Sequence, residues 1–303
     1  MGRRMLAGAL ALLAASTAWV VARPAQSGAV PITTADQLVG RMLATTDGQS
    51  AGRINGVVLD VPRGDVLYVV VGSGGRLDIG DSLIPVPFGA LEVDPSTDGK
   101  RVRVNQSLAQ IRSRSPLESA RLAGLGTPEW VGQIYRIYGV PVPFGYAVPV
   151  GPAPAVPPFR DITKAPDPNR LTIISDPSHA LAMDVRGLSV IEPDAHPIGQ
   201  IDQVVIDPTD GRIAYLLLAS PRFLGLSEAW IPVPPEAVTW SAATFVLDET
   251  NVKPQAMAAL HKSKLPAQVA RADLVALYTR FKLTPYWEQQ TQRSPTGRRH
   301  ASG

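Results

Sequence analysis

The amino-acid sequence predicts a mainly β protein: two tandem small β-barrels, each followed by a short helical extension, joined by a proline-rich linker. Three observations predict it. A shift of 147 residues lays Gly40–Leu91 on Gly187–Val238 without a gap, with 16 of the 52 positions identical, which marks a duplicated domain. Each copy is a succession of short, β-rich apolar runs separated by turn residues. Twenty-nine prolines and 26 glycines against 6% aromatic residues in 303 favour many short elements over a helical bundle. An apolar share of 45% with 18% charged residues can build real cores, which excludes wholesale disorder.

Residues 1–22 stand apart from the fold. Arg3 and Arg4 precede an uncharged apolar run, Met5–Val21, that stops at Ala22. This is the layout of a signal peptide. Val20 and Ala22 put small residues at −3 and −1, so cleavage is expected after Ala22. A retained anchor is the alternative, because the run reaches the lower limit of a bilayer span. Under both readings the arginines stay inside and the rest is delivered outside the cytoplasm. The expected address is periplasmic or otherwise exported, or inner-membrane anchored and facing the periplasm. The leader carries two arginines and no acid, so the formal charge of +3 falls to near neutrality without it.

The first barrel is expected within 33–115 and the second within 178–262. In the second, Gln200–Ile206 is an apolar strand, Asp207-Pro208-Thr209-Asp210-Gly211 is turn chemistry, and Ile213–Leu218 returns as its hairpin partner. Trp230–Val233, Val238–Trp240 and Thr244–Leu247 follow as strands, the first tolerating Pro232 and Pro234 at an edge or bulge. The first copy repeats this with Arg53–Val61, Val66–Val71, Leu83–Val86, Leu91–Val93 and Arg101–Val104. Curling such a sheet towards closure removes exposed edges.

The pattern Gly52-x-Ile54, Val58-x-Asp60, Gly64-x-x-x-Tyr68 and Gly80-Asp81-Ser82-Leu83-Ile84-Pro85-Val86-Pro87 resembles the PRC-barrel family. The second copy carries Gly199-x-Ile201, Val205-x-Asp207, Gly211-Arg212-Ile213-Ala214-Tyr215 and Ile231-Pro232-Val233-Pro234, with Ser227-Glu228 where the first has Gly80-Asp81. The resemblance covers about half the chain. It implies barrels used for docking rather than catalysis, as in the reaction-centre H subunit and a ribosome-maturation factor.

Helical spacing of Trp130, Ile134, Ile137 and Tyr138, and of Leu274, Leu277, Tyr278 and Phe281, predicts trailing helices within 116–138 and 263–287. Each runs into a proline–aromatic ending, Val142-Pro143-Phe144 and Thr284-Pro285-Tyr286-Trp287. Seven prolines in Pro141–Pro158 predict an extended linker within 139–176. Residues 288–303, polar with Arg293, Arg298 and Arg299, read as a disordered tail.

Chemistry is sparse. Without cysteine there is no disulfide, thiolate metal site or cysteine nucleophile. His179, His196, His261 and His300 are scattered and show no metal-ligand spacing. Asp94–Gly99 lacks the ligand pattern of a calcium loop and reads as a hairpin turn, and Gly72-Ser73-Gly74-Gly75 fits no phosphate-binding motif. Asp60 and Asp207 end equivalent strands, where turn initiation accounts for them. No catalytic, cofactor or metal residue is expected.

Three functions from different classes follow: an envelope interaction module, an RNA- or ribosome-associated barrel, and an unrecognised hydrolase or ligand-binding protein. Residues 178–262 carry five Lys/Arg against ten Asp/Glu, and 33–115 nine against nine, so neither copy has the basic excess that nucleic acid requires. The expectation is a non-enzymatic scaffold without a cofactor, holding an envelope protein but no nucleic acid. It would be membrane-tethered only if residues 1–22 persist. Tyr286 and Trp287 are the candidate partner contacts.

Overall fold

The computed structural model describes residues 28–72, 83–94, 101–113, 128–143, 146, 172–175, 185–219, 229–241, 244–247, 260–261 and 265–293. The expected leader, and most of the linker, lie outside the described residues. The chain order begins β1 (Ala29–Pro31), β2 (Thr33–Thr34), α1 (Ala35–Leu38), β3 (Met42–Ala44), β4 (Ser50–Asp60), β5 (Asp65–Gly72), β6 (Leu83–Pro87), β7 (Leu91–Val93) and β8 (Val102–Val104). Helices α2 (Leu108–Arg112) and α3 (Pro128–Tyr138) and strand β9 (Thr172–Ser175) separate this copy from the next. The second copy comprises β10 (Ser189–Ile191), β11 (Pro197–Asp207), β12 (Arg212–Ala219), β13 (Ala229–Val233), β14 (Val238–Ser241) and β15 (Thr244–Leu247). Strands β16 (Leu260–His261) and β17 (Gln268–Ala270) and helices α4 (Arg271–Arg280) and α5 (Tyr286–Arg293) close the described chain.

Each copy is a curled, half-barrel sheet with the same strand order, β6-β5-β4-β3-β8-β7 and β13-β12-β11-β10-β15-β14. Every strand expected from the sequence is present with ends shifted by a few residues. The long hairpins match in register: Ile54 faces Val71 and Gly56 faces Val70 across a bulge, as Ile201 faces Leu218 and Gln203 faces Leu217. Prolines keep to strands where their missing N–H is tolerated. In β13, Pro232 faces Leu217 of β12, while β16 pairs only with Ala229 and Trp230. The β5 strand is buried at every position, and Val57, Val58, Leu59, Val69, Val70, Val204, Val205, Leu216 and Leu217 are shielded from solvent. Barrels of this size fill their interiors with their own side chains.

The two copies form one continuous sheet. Asp65 at the start of β5 faces its repeat equivalent, Arg212, at the start of β12. The Val66 N–H donates to Gly211 O at 3.0 Å and the Ile213 N–H donates to Gly64 O at 2.9 Å. Because these are equivalent residues bonded reciprocally, an approximate twofold axis passes between them. Around it the copies exchange leading strands: β2 pairs with β11, placing Thr33 opposite Ile206 and Thr34 opposite Val205, and β9 pairs with β4, placing Thr172 opposite Leu59 and Ile173 opposite Val58.

Strand β9 corrects the linker reading, since Thr172–Ser175 is not free spacer but part of the first barrel's sheet. Its β-branched Thr-Ile-Ile run, hidden beside a proline-rich stretch, is the local reason. The tail reading needs a similar correction. Helix α5 runs to Arg293, well past 287, because Pro285 starts the turn and the buried Tyr286 anchors it. In the trailing helices, Leu274, Leu277, Tyr278 and Phe281 are buried as the spacing requires. In α3 the buried stripe is Val131, Ile134, Tyr135 and Tyr138, while Ile137 is 53% exposed. Among the described residues no helix is long and apolar enough to cross a membrane.

Candidate functional site

Chemically distinctive side chains collect where the barrels meet. At the axis, Arg212 donates from one terminal nitrogen to Asp65 at 2.7 Å, and from the other to Glu236 at 3.2 Å and the Arg63 carbonyl at 2.7 Å. The three charged side chains are 10–15% exposed. Burial pushes the Glu236 carboxyl above the usual range, and the Arg212 guanidinium pulls it back only in part. Two carboxylates around one guanidinium leave the junction with no positive charge to spare.

Flanking the axis are two tyrosine latches. The turns that follow β4 and β11 are held by Asp60, whose carboxylate accepts from the Arg63 N–H at 3.3 Å, and by Asp207, which accepts from the Thr209 N–H at 2.8 Å. Turn initiation therefore holds, but each carboxylate has a second task. The Tyr146 hydroxyl donates to Asp60, and the Tyr286 hydroxyl donates to Asp207 at 2.7 Å. Each phenol thus ties the segment after a trailing helix to a barrel's first hairpin. Burial raises both aspartyl pKa values, and the phenol bonds oppose the shift. Burial, with the neighbouring carboxylate second, keeps both phenols far above their ordinary pKa, so they remain donors. The trailing helices make matching bonds: Tyr135 donates to Leu67 O at 2.6 Å and Tyr278 to Ala214 O at 3.1 Å.

This geometry relocates the candidate partner contacts. Tyr286 is fully buried with its hydroxyl committed to Asp207, so it is an internal latch and not a surface anchor. Trp287 is partly buried against the core, 4.8 Å from the Tyr286 ring and with the Arg271 guanidinium 4.6 Å above it. Tyr146 escaped the sequence reading because it sits three residues beyond Pro143, in the middle of a proline-rich stretch. The one signal available was the equivalence of Asp60 and Asp207, which gives Tyr146 and Tyr286 matching partners.

Beside the latches the twofold breaks down and a cleft of about 470 Å³ opens. Its walls are Phe88, Gly89 and Leu91, the Pro141–Pro143 segment after α3, and the Pro208–Arg212 turn, with Asp65, Tyr135, Tyr286 and Gln289 completing it. The repeat explains why it is open. Glu236, which fills the axis on one side, has Gly89 as its counterpart on the other. A Cβ at Gly89 would meet nothing closer than the Val140 Cβ at 3.9 Å, whereas a Cβ at Gly64 would lie 3.0 Å from the Glu236 carboxylate and from Pro235.

One further cluster was not expected. His196 lies 2.7 Å from Asp194 and 4.0 Å from Glu192 in the β10–β11 turn, where Ala195 adopts φ 70°. The sequence reading scattered the histidines because these residues alternate through a turn rather than along a helix. The trio is solvent-facing on His196 and Asp194, and the first copy places Thr45, Asp47 and Gln49 in the equivalent turn, hydrogen-bonded among themselves.

Comparison with curated proteins gave no match. The PRC-barrel domain profile matches the chain twice, over residues 33–109 and 180–249. These segments contain the two half-barrel sheets, the aspartates of both latches and the residues that meet at the axis. The chain carries two tandem copies of the PRC-barrel domain.

Proposed function

We propose that the protein is a non-catalytic interaction module of the bacterial cell envelope that holds a polypeptide partner in the cleft at the joint of its two barrels. The observation that carries the reading is the cleft itself: an opening of about 470 Å³ lined by proline, aliphatic, aromatic and polar side chains, set between two half-barrels whose apolar side chains are buried. Concave sites at domain junctions are the usual place for ligands. Apart from Asp210, the charged and titratable groups named above are bound to one another in structural roles: Arg212 with Asp65 and Glu236, and Asp60 and Asp207 with tyrosines. The sequence features of residues 1–22 support the envelope address.

A photoreactive residue at Thr209, exposed on the cleft wall, tests the proposal in cells. A specific adduct with an envelope protein is expected there and not from Asp273, exposed on α4. Fractionation of the intact chain with the cytoplasm, or adducts of equal pattern from both positions, would overturn it.

A further inference from the structure

The duplicated turns differ at one position that matters. The first copy reads Asp60-Val61-Pro62-Arg63-Gly64 and the second Asp207-Pro208-Thr209-Asp210-Gly211. In the first, Arg63 lies over the Tyr146 ring at 5.0 Å and 3.6 Å from the Asp60 carboxylate, so a cation completes the aspartate–tyrosine latch. In the second, the equivalent position is Asp210. The latch there is Asp207 with Tyr286, and Asp210 adds a second negative charge that pushes the Asp207 carboxyl further up. Among the described residues no cation pairs with Asp210, which is half-buried in the cleft wall. Arg212, at the cleft floor, is already neutralised by Asp65 and Glu236.

The cleft therefore combines one uncompensated carboxylate with aliphatic walls at Leu91, Pro141, Val142, Pro143 and Pro208. Resting on the docking function above, we propose that the cleft receives a lysine or arginine side chain of the partner polypeptide, whose cationic head pairs with Asp210 in the role that Arg63 plays in the first copy. The methylene stem lies along the aliphatic walls, the arrangement by which long basic side chains bury their stems and keep their charge paired. Charge complementarity supports this occupant, since residues 178–262 carry five basic side chains against ten acidic ones. An anionic partner would meet Asp210, and the basic residue of the described lining, Arg212, is already paired with Asp65 and Glu236.

The test is fluorescence polarisation with the full chain in mild detergent, using a fluorescein-labelled Gly-Pro-Arg-Pro-Gly peptide and its citrulline counterpart, which has the same shape without the charge. The arginine peptide is expected to bind, with affinity falling as salt rises. Asp210→Asn should weaken it about fivefold, the upper end for a partly exposed ion pair. Gly89→Leu should abolish binding by filling the cleft, at a position where the backbone accepts a side chain. Unchanged circular-dichroism melting of both variants separates these effects from misfolding. Equal binding of arginine and citrulline peptides, both lost in Gly89→Leu, overturns the cationic assignment while leaving polypeptide docking intact. Binding by neither peptide, or undiminished binding by Asp210→Asn, also overturns it. Docking itself is decided separately, by the Thr209 adducts and the fractionation.

Discussion

Arg212→Met is the most informative perturbation of the junction. It removes a guanidinium that makes contacts of 2.7, 2.7 and 3.2 Å to Asp65, the Arg63 carbonyl and Glu236, and leaves an apolar chain of similar length. Breaking a buried ion pair from one side costs about 3–5 kcal/mol, because the remaining charge stays desolvated. Here two carboxylates are stranded, but both escape part of that penalty. Asp65 borders the cleft and can reach water, and Glu236, already raised by burial, can take up a proton. The expected loss at pH 7 is therefore near the lower bound, about 3 kcal/mol. With a urea m-value of about 3 kcal/mol/M, the upper end for small proteins, the midpoint should fall by about 1 M. Tryptophan fluorescence follows the transition. The sign with pH is fixed by the raised Glu236 pKa: its charged form costs stability, and that cost disappears as pH falls through its folded value towards 4.5. The deficit of the variant should accordingly shrink in mild acid. Adding Asp65→Ala and Glu236→Gln to Arg212→Met should recover most of the loss. A deficit below about 0.5 kcal/mol, the range of an ordinary surface substitution, would show that the axis is solvated and the reasoning wrong.

Other outcomes follow from the same geometry. Tyr286→Phe removes the donor to a buried carboxylate and should cost about 1–3 kcal/mol at neutral pH by urea titration, with Tyr146→Phe similar. Because the Asp60 and Asp207 pKa values are raised, both deficits should narrow as pH drops through the folded values towards 3.8. Gly211→Ala places a Cβ at φ 65° and 3.2 Å from the Phe88 ring, and should lower stability by about 1–3 kcal/mol, read as a fall in Tm by calorimetry. Asp210→Arg transplants the first copy's cation beside Asp207, so a Tm at or above that of the unsubstituted chain is expected, and a lowered one would deny the equivalence of the two turns.

What the sequence could and could not convey is clear from particular residues. The hairpins were legible because Val57-Val58-Leu59-Asp60 and Val204-Val205-Ile206-Asp207 carry both their burial and their turn locally. Even Gly64 and Gly211 announced themselves, needing φ of 68° and 65° where the strands reverse. Strands β2 and β9 were hidden, because two to four residues have no periodicity of their own and owe their extended state to an edge in the other copy. The meeting of Asp65 with Arg212 was equally invisible, since a 147-residue offset says that two positions are equivalent but not that they touch. Tyr286 misled for a related reason: an aromatic beside a proline at the end of a helix suits a surface anchor and a buried latch alike, and only the position of Asp207 decides between them. The cleft could be inferred only afterwards, from Gly89 standing where the other copy has Glu236.

The exchange of leading strands bears on how the chain reaches this state. As it is made from its N-terminus, the first hairpin can close at once, but the edge of β4 from Gly56 to Leu59 that faces away from β5 has no neighbour until Thr172–Ser175 exists. Thr33 and Thr34, present from the start, have nothing to pair with until β11 is made more than 160 residues later. Pairings at such separation are slow to form, and an unpaired strand edge invites association with the wrong chain. The last steps of folding must then be shared, each copy finishing the other. The smallest piece of this sequence able to cover these edges of β4 and β11 is the pair.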